Sequence, residues 1–176
     1  HSFSRRQRQM CIRDRPYAIQ NFSIPKLIFT TPSHQQPLGI TMSLQRRLAL
    51  LKYAHENASW IIEDDYDSEF RYRGRPLPAL SALDKVGRVL YVGTFSKSLF
   101  PSVRIGYVVV PEILMDTFAK MRNIFGQTSS AITEEALSNF MDDGGFAEHI
   151  RKMRRLYRDR RDILLNALQE NCSNIL

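Results

Sequence analysis

Four short runs of apolar, mostly β-branched or aromatic residues punctuate the chain: residues 26–30 (KLIFT), 60–63 (WIIE), 89–92 (VLYV) and 105–110 (IGYVVV), the last stopped by Pro111. Runs of this length bounded by turn signals predict buried strands. Between them the period changes. Ser43 is a good N-cap for a helix reaching about Asn57, with Leu44, Leu48 and Leu51 on one face. Residues 31–39 (TPSHQQPLG), broken by Pro32, Pro37 and Gly39, predict a loop, and residues 71–83 (RYRGRPLPALSAL) an exposed loop entering a short helical turn. Three further helices follow: 112–125 with Leu114, Phe118 and Met121 on one side, 130–141, and a long basic helix over 145–169. Ile150, Met153, Tyr157, Ile163 and Leu164 are the apolar markers of the last. Strand, loop, helix and strand at this spacing form a βαβ unit, so the expected fold class is α/β, a mostly parallel sheet covered by helices.

At 176 residues the chain is long enough for one domain with a real core. A hydrophobic content of 43% without any membrane-length apolar run excludes a helical membrane protein. No apolar segment follows the basic N-terminus, so a secretory signal is not expected, and the cytoplasm is. Cys11 and Cys172 lie far apart and in no metal-like spacing; neither a disulfide nor a metal site is expected. The net charge of +7 concentrates in residues 1–15 and 148–162, each carrying +4. The first cluster, SRRQRQMCIRDR, has no periodicity and resembles translated adapter sequence; residues 1–15 are expected to be a non-native leader. The second falls on the long helix and reads as a solvated face rather than a DNA-binding groove.

Two strand ends concentrate chemistry. The strand at 89–92 ends at Gly93, and Thr94, Ser96, Lys97 and Ser98 follow, with Arg104 seven residues beyond the lysine. The strand at 60–63 runs straight into Asp64, Asp65 and Tyr66. Open α/β sheets bind ligands at the carboxyl ends of their strands. An amine, a carboxylate with a tyrosine, and hydroxyls with an arginine are what pyridoxal 5′-phosphate requires: a Schiff-base partner for its aldehyde, a counter-charge for its ring nitrogen and donors for its phosphate. Lys97 is the candidate catalytic amine. Asp64 is the candidate for the ring nitrogen, with Asp65 its rival, and Tyr66 for the ring O3′. Thr94, Ser96 and Arg104 form the candidate phosphate cup, since arginine grips phosphate with planar, charge-assisted bonds. Ser98 either joins them or caps a turn. Each residue also has a plainer reading, as a surface lysine, a solvated turn acid, an edge tyrosine or ordinary turn hydroxyls; the set, rather than any one member, is specific.

The segments DDYDSEFRYRGRPLPALSALD and TFSKSLFPSVRIGY resemble class I/II aminotransferases of pyridoxal-phosphate fold-type I, and within them the MocR branch of the GntR regulators, over residues 29 to 168. The 33-residue spacing from Asp64 to Lys97 matches that family. The resemblance implies a large cofactor-binding domain, represented in part by residues 16–143, and a long helix leading into a truncated small domain over 144–176. It implies an effector domain that senses an amino compound or the cofactor itself through a lysine aldimine. It further implies a homodimeric full-length parent that binds DNA through a winged helix-turn-helix, which is not found in this stretch. Two alternatives stand beside it: an autonomous aminotransferase acting on an amino acid and a 2-oxo acid, and a remnant that binds nothing. In TPSHQQPLG, Gln36 occupies the place where aminotransferases of this fold carry an asparagine, which puts transamination in doubt. His34 is expected to stabilise its loop rather than to act as a base.

Overall fold

A computed structural model of the protein describes residues 24–72, 77–125 and 130–172. The leader and the middle of the loop at 73–76 lie outside these residues. The described residues divide into two units, one of residues 24–68 and 77–125, the other of residues 69–72 and 130–172.

The first unit is built on four strands, β1 (Leu27–Thr30), β2 (Trp60–Asp65), β3 (Val89–Thr94) and β4 (Gly106–Val109), adjacent in that order. β1, β2 and β3 are parallel; β4 runs antiparallel to β3. The reversal follows from chain length. Only residues 95–105 separate β3 from β4, which is too short for a parallel crossover of about a dozen residues or more. The helix α1 (Leu44–Glu56) supplies the β1–β2 crossover, and α2 (Leu80–Leu83) precedes β3. Ser43 caps α1, its hydroxyl accepting the Arg46 N–H. After β3 come a single helical turn, α3 (Phe95–Ser98), a 3-10 turn (Pro101–Val103), β4 and α4 (Met115–Phe125).

The core lies between α1, α2 and one sheet face: Ile28, Ile61 and Val89 from the strands, Leu50 and Ala54 from α1, and Leu80 from α2. This corrects the expected α1 face. Leu44 and Leu48 are exposed, Leu51 is half-buried against the core, and the buried stripe is Arg47, Leu50 and Ala54. An arginine can occupy that stripe because its guanidinium is fully engaged. It donates to the carbonyls of Met42 (3.2 Å), Pro78 (2.9 Å) and Pro32 (2.8 Å), and lies 3.8 Å from Glu63. Glu63 is equally enclosed and accepts the N–H groups of Leu80 (2.8 Å) and Ser81 (2.9 Å). The two charges tie the β1–α1 loop, β2 and the start of α2 together. The helix expected over 112–125 begins as a 3-10 turn (Glu112–Leu114) before α4. Leu114 in that turn and Phe118 on α4 are half-buried and Met121 is exposed, so the expected apolar side is only partly used.

The second unit contains α5 (Ala131–Asp142) and α6 (Gly145–Asn171). Gly144 takes φ +76° between them, and a Cβ on Gly145 would collide with the Phe140 ring at 2.5 Å, so both glycines are required by the tight turn. Tyr157 meets Phe70 edge-on at 5.1 Å, and Arg161 covers the Tyr72 ring at 5.2 Å. Ile150 is buried, and Met153 and Tyr157 are half-buried. Ile163 and Leu164, the remaining apolar markers of this helix, are exposed at 69% and 59%. No described helix is long and apolar enough to cross a membrane.

Candidate functional site

Alternation along β2 assigns its three consecutive acids to opposite faces. Glu63 and Asp65 point with Ile61 toward the helices, while Asp64 points with Trp60 and Ile62 to the other face. The register pairs Asp64 with Val92 of β3, so Thr94, two residues on, shares its face at the carboxyl end of the sheet. Asp65 pairs with Gly93 and accepts the Tyr91 hydroxyl at 2.8 Å. Burial and this hydrogen bond push the Tyr91 phenol far above its ordinary value. Tyr107 of β4 packs over Gly93 so closely that a Cβ there would stand 2.3 Å from the ring. Of the rival acids, then, Asp65 lies on the helical face with one oxygen on the Tyr91 hydroxyl and the other buried without a hydrogen-bond partner among the described residues, and Asp64 lies on the face of Thr94. Burial, with Asp65's charge beside it, raises the Asp64 carboxyl above the usual carboxylate range.

Lys97 sits on α3, one turn beyond the end of β3, with its side chain exposed rather than desolvated. Thr94 is the N-cap of that turn. Its hydroxyl accepts the Ser96 N–H at 3.2 Å and donates to the Ile105 carbonyl at 3.4 Å. Ser96 is half-buried; Ser98 is buried, with its hydroxyl on the Phe95 carbonyl at 3.4 Å. Arg104 closes the 3-10 turn in the left-handed region (φ +51°, ψ +30°), between buried Val103 and Ile105. For a residue other than glycine this backbone costs on the order of 1 kcal/mol or more and persists only where neighbours enforce it. Here the Phe95 N–H binds the Ile105 carbonyl at 3.0 Å and holds the turn against α3.

Tyr66 follows the acids, half-buried, and its hydroxyl donates to the His34 carbonyl at 2.8 Å. The loop after β1 is internally braced: the Gln35 side chain is buried and bonds the Gln36 carbonyl and the Leu38 N–H, while Gln36 itself is exposed. His34 Nδ1 lies 2.6 Å from Asp67 Oδ2. Among the described residues, nothing offers Lys97, Arg104 or the Asp64 carboxylate a hydrogen bond or an ion pair. An unengaged amine and guanidinium in the segment after β3, an unengaged carboxylate at the end of β2 and the hydroxyls of Ser96 and Thr94, the latter once it leaves the Ile105 carbonyl, match the aldehyde, phosphate and ring nitrogen of pyridoxal phosphate in number and charge. Arg47 and Glu63 escaped sequence reasoning. The signal was available in the strand's own period, which turns Glu63 inward with Ile61 and so demands a buried partner.

The family model for aminotransferase class I and II matches residues 17–175. The chain belongs to this family. It is 51% identical over 141 residues to a probable rhizopine catabolism regulatory protein, MocR, of Rhizobium meliloti, covering 80% of this chain and 29% of that protein. It is 49% identical over 145 residues to a helix-turn-helix-type transcriptional regulator of Bacillus subtilis, YdeL, covering 82% and 31%. Among solved structures it is similar to Pyrococcus horikoshii kynurenine aminotransferase, in complex with PMP, substrate and product. That match has a TM-score of 0.76 at 36% identity, over 82% of this chain and 36% of that one. The chain thus spans about three-tenths of the length of these regulators.

Proposed function

We propose that this chain is the pyridoxal-phosphate-binding part of a MocR-type transcriptional regulator, a cytoplasmic homodimer in its full-length form. The observation that carries the reading is the placement of Asp64 and Thr94 on one face at the carboxyl end of the sheet, directly before Lys97, with the lysine, Arg104 and Asp64 unengaged. Lys97 supplies the amine for the cofactor's aldehyde. Asp64 keeps a proton on the ring nitrogen, Tyr66 donates to the ring O3′, and Thr94, Ser96 and Arg104 hold the phosphate. When bound, pyridoxal phosphate supplies a carbonyl that takes up amines and a protonated ring that withdraws electron density. The raised Asp64 carboxyl suits this role, because a cationic ring nitrogen returns it to the charged state that burial opposes. Residues 16–143 belong on this reading to the large domain, and residues from 144 lead toward a small one.

The ligand sensed is an amino compound or the cofactor itself, and its binding is passed to a helix-turn-helix module elsewhere in the parent. The similarity to two regulators favours this over an autonomous aminotransferase, as does Gln36 at the asparagine position. The likeness to a kynurenine aminotransferase keeps the enzyme as the second reading. The full-length parent decides between them. The regulator reading expects cofactor-dependent binding to its own promoter and no turnover of amino acids with 2-oxo acids. Steady transamination without promoter binding would reverse the assignment.

A further inference from the structure

The surroundings of Tyr66 carry one step further. Its hydroxyl donates to the His34 carbonyl, and the His34 ring stacks on its own ring with centroids 6.3 Å apart and planes 12° apart. A carboxylate can only accept, so the 2.6 Å contact from His34 Nδ1 to Asp67 fixes the imidazole proton on Nδ1. The other ring nitrogen faces Gly39, where a Cβ would lie 3.1 Å from Nε2 and where φ is +67°. Glycine therefore both permits the backbone and leaves room for the imidazole. The same loop is closed by the Gln35 N–H on the Ile40 carbonyl, the Gly39 N–H on the Gln35 carbonyl and the Met42 N–H on the Pro32 carbonyl. The phenol has one proton to give. Burial and the charges of Asp67, Asp64 and Asp65 hold it above its ordinary value, so it remains a donor.

We propose that His34 and Asp67 are positioning residues for Tyr66: their bond fixes the loop whose carbonyl and ring hold the phenol at the edge of the site, where a ligand oxygen can take its proton in place of His34. The proposal rests on the reading of Tyr66 as donor to the cofactor's O3′. Neither side chain is asked to do chemistry. His34 acts through its main-chain oxygen and its ring face, and Asp67 acts through His34.

The test is a pH titration of the visible absorption of pyridoxal phosphate bound to the full-length parent. Losing a donor to the ring oxygen disfavours its anionic form, so Tyr66→Phe raises the midpoint. His34→Ala and Asp67→Ala are expected to raise it in the same direction, by about one pH unit, a tenfold change in the protonation equilibrium. Asp67→Asn, whose amide oxygen still accepts from Nδ1, is expected to keep the wild-type midpoint. The double variant Tyr66→Phe/His34→Ala is expected to shift no further than Tyr66→Phe, as residues acting through one group do. Midpoints unmoved in His34→Ala and Asp67→Ala, with a normal wild-type band, overturn the proposal alone. Asp67→Asn behaving like Asp67→Ala overturns it too, because charge rather than the bond would then be at work. A wild-type protein without a pH-dependent visible band overturns the cofactor reading and the proposal together. Should a variant shed its cofactor, amide exchange in the unloaded protein serves instead. Asp67→Ala is expected to speed exchange at Gln35, Gly39 and Met42 while Asp67→Asn leaves it unchanged; equal rates in all three proteins count against the proposal.

Discussion

The two faces of the sheet at the end of β2 treat three neighbouring acids in opposite ways. On the helical face Glu63 is wholly enclosed by Arg47 and two backbone N–H groups, and Asp65 is held by the Tyr91 hydroxyl through one oxygen, its other oxygen being buried without a hydrogen-bond partner among the described residues. On the other face Asp64, between them in sequence, has no such partner among the described residues and is only half-buried. The pleat alone sorts them, since successive side chains point to opposite sides. A carboxylate committed to the fold is held by at least one partner within it, as Glu63 and one oxygen of Asp65 are, whereas Asp64 is held by none among the described residues. The difference between these fates, rather than acidity itself, marks Asp64 as the candidate.

That contrast breaks most visibly on the helical face. Removing one member of an enclosed ion pair leaves the other charge buried and unpaired. Arg47→Ala or Glu63→Ala is therefore expected to cost about 3–5 kcal/mol, read as a lowered denaturant midpoint of the full-length protein. A loss below about 1 kcal/mol would mean that water reaches the survivor and that the pair does not organise the loop, β2 and α2.

A pair of neighbouring substitutions sharpens the comparison. Asp64→Ala is expected to weaken retention of pyridoxal phosphate by about 1.5–3 kcal/mol, the usual value of a hydrogen bond to a charged group, and to change the bound spectrum. Asp65→Ala is expected to leave both nearly intact and to lower stability instead, because the Tyr91 hydroxyl loses its acceptor. Equal effects of the two on cofactor binding would erase the distinction between the faces.

How much of this was legible beforehand depends on which interactions are local. The strands announced themselves as β-branched runs, and Ser43 as a cap, because both are decided within a few residues. The buried face of α1 was not legible from hydrophobicity. Leu44 and Leu48 make the more apolar stripe, yet Arg47 takes the inside, because its acceptors on Pro32 and Pro78 come from loops distant along the chain. Ile163 and Leu164 illustrate a related point: helical periodicity marks a stripe without saying what meets it, and both side chains are exposed. Lys97, Asp64 and Thr94 could be proposed as one set because parallel strands bring their carboxyl ends to one edge. The Tyr66–His34–Asp67 arrangement could not, since it depends on how the loop after β1 folds back.

The smallest expected effect concerns pH. Burial and Asp65 raise the Asp64 carboxyl in the folded protein, so the folded state binds that proton more readily than the unfolded chain does. Its contribution to stability is then complete below the ordinary aspartate value near 4 and is lost as pH rises through the raised folded value. Asp64→Asn is expected to stabilise the cofactor-free protein at neutral pH, by less than about 1 kcal/mol because the group is partly solvated, and to give no gain below about pH 4. Thermal denaturation across that range checks it; a destabilised variant at pH 7 would show that the ligand-free site already satisfies Asp64.

The central claim is that Lys97 is the amine at which this family member takes its cofactor. The most direct measurement is borohydride reduction of the full-length parent loaded with pyridoxal phosphate, followed by peptide mapping. One modified peptide is expected, with the phosphopyridoxyl group on Lys97. Label on Lys85 or Lys120 instead, or full labelling retained in Lys97→Ala, would contradict it.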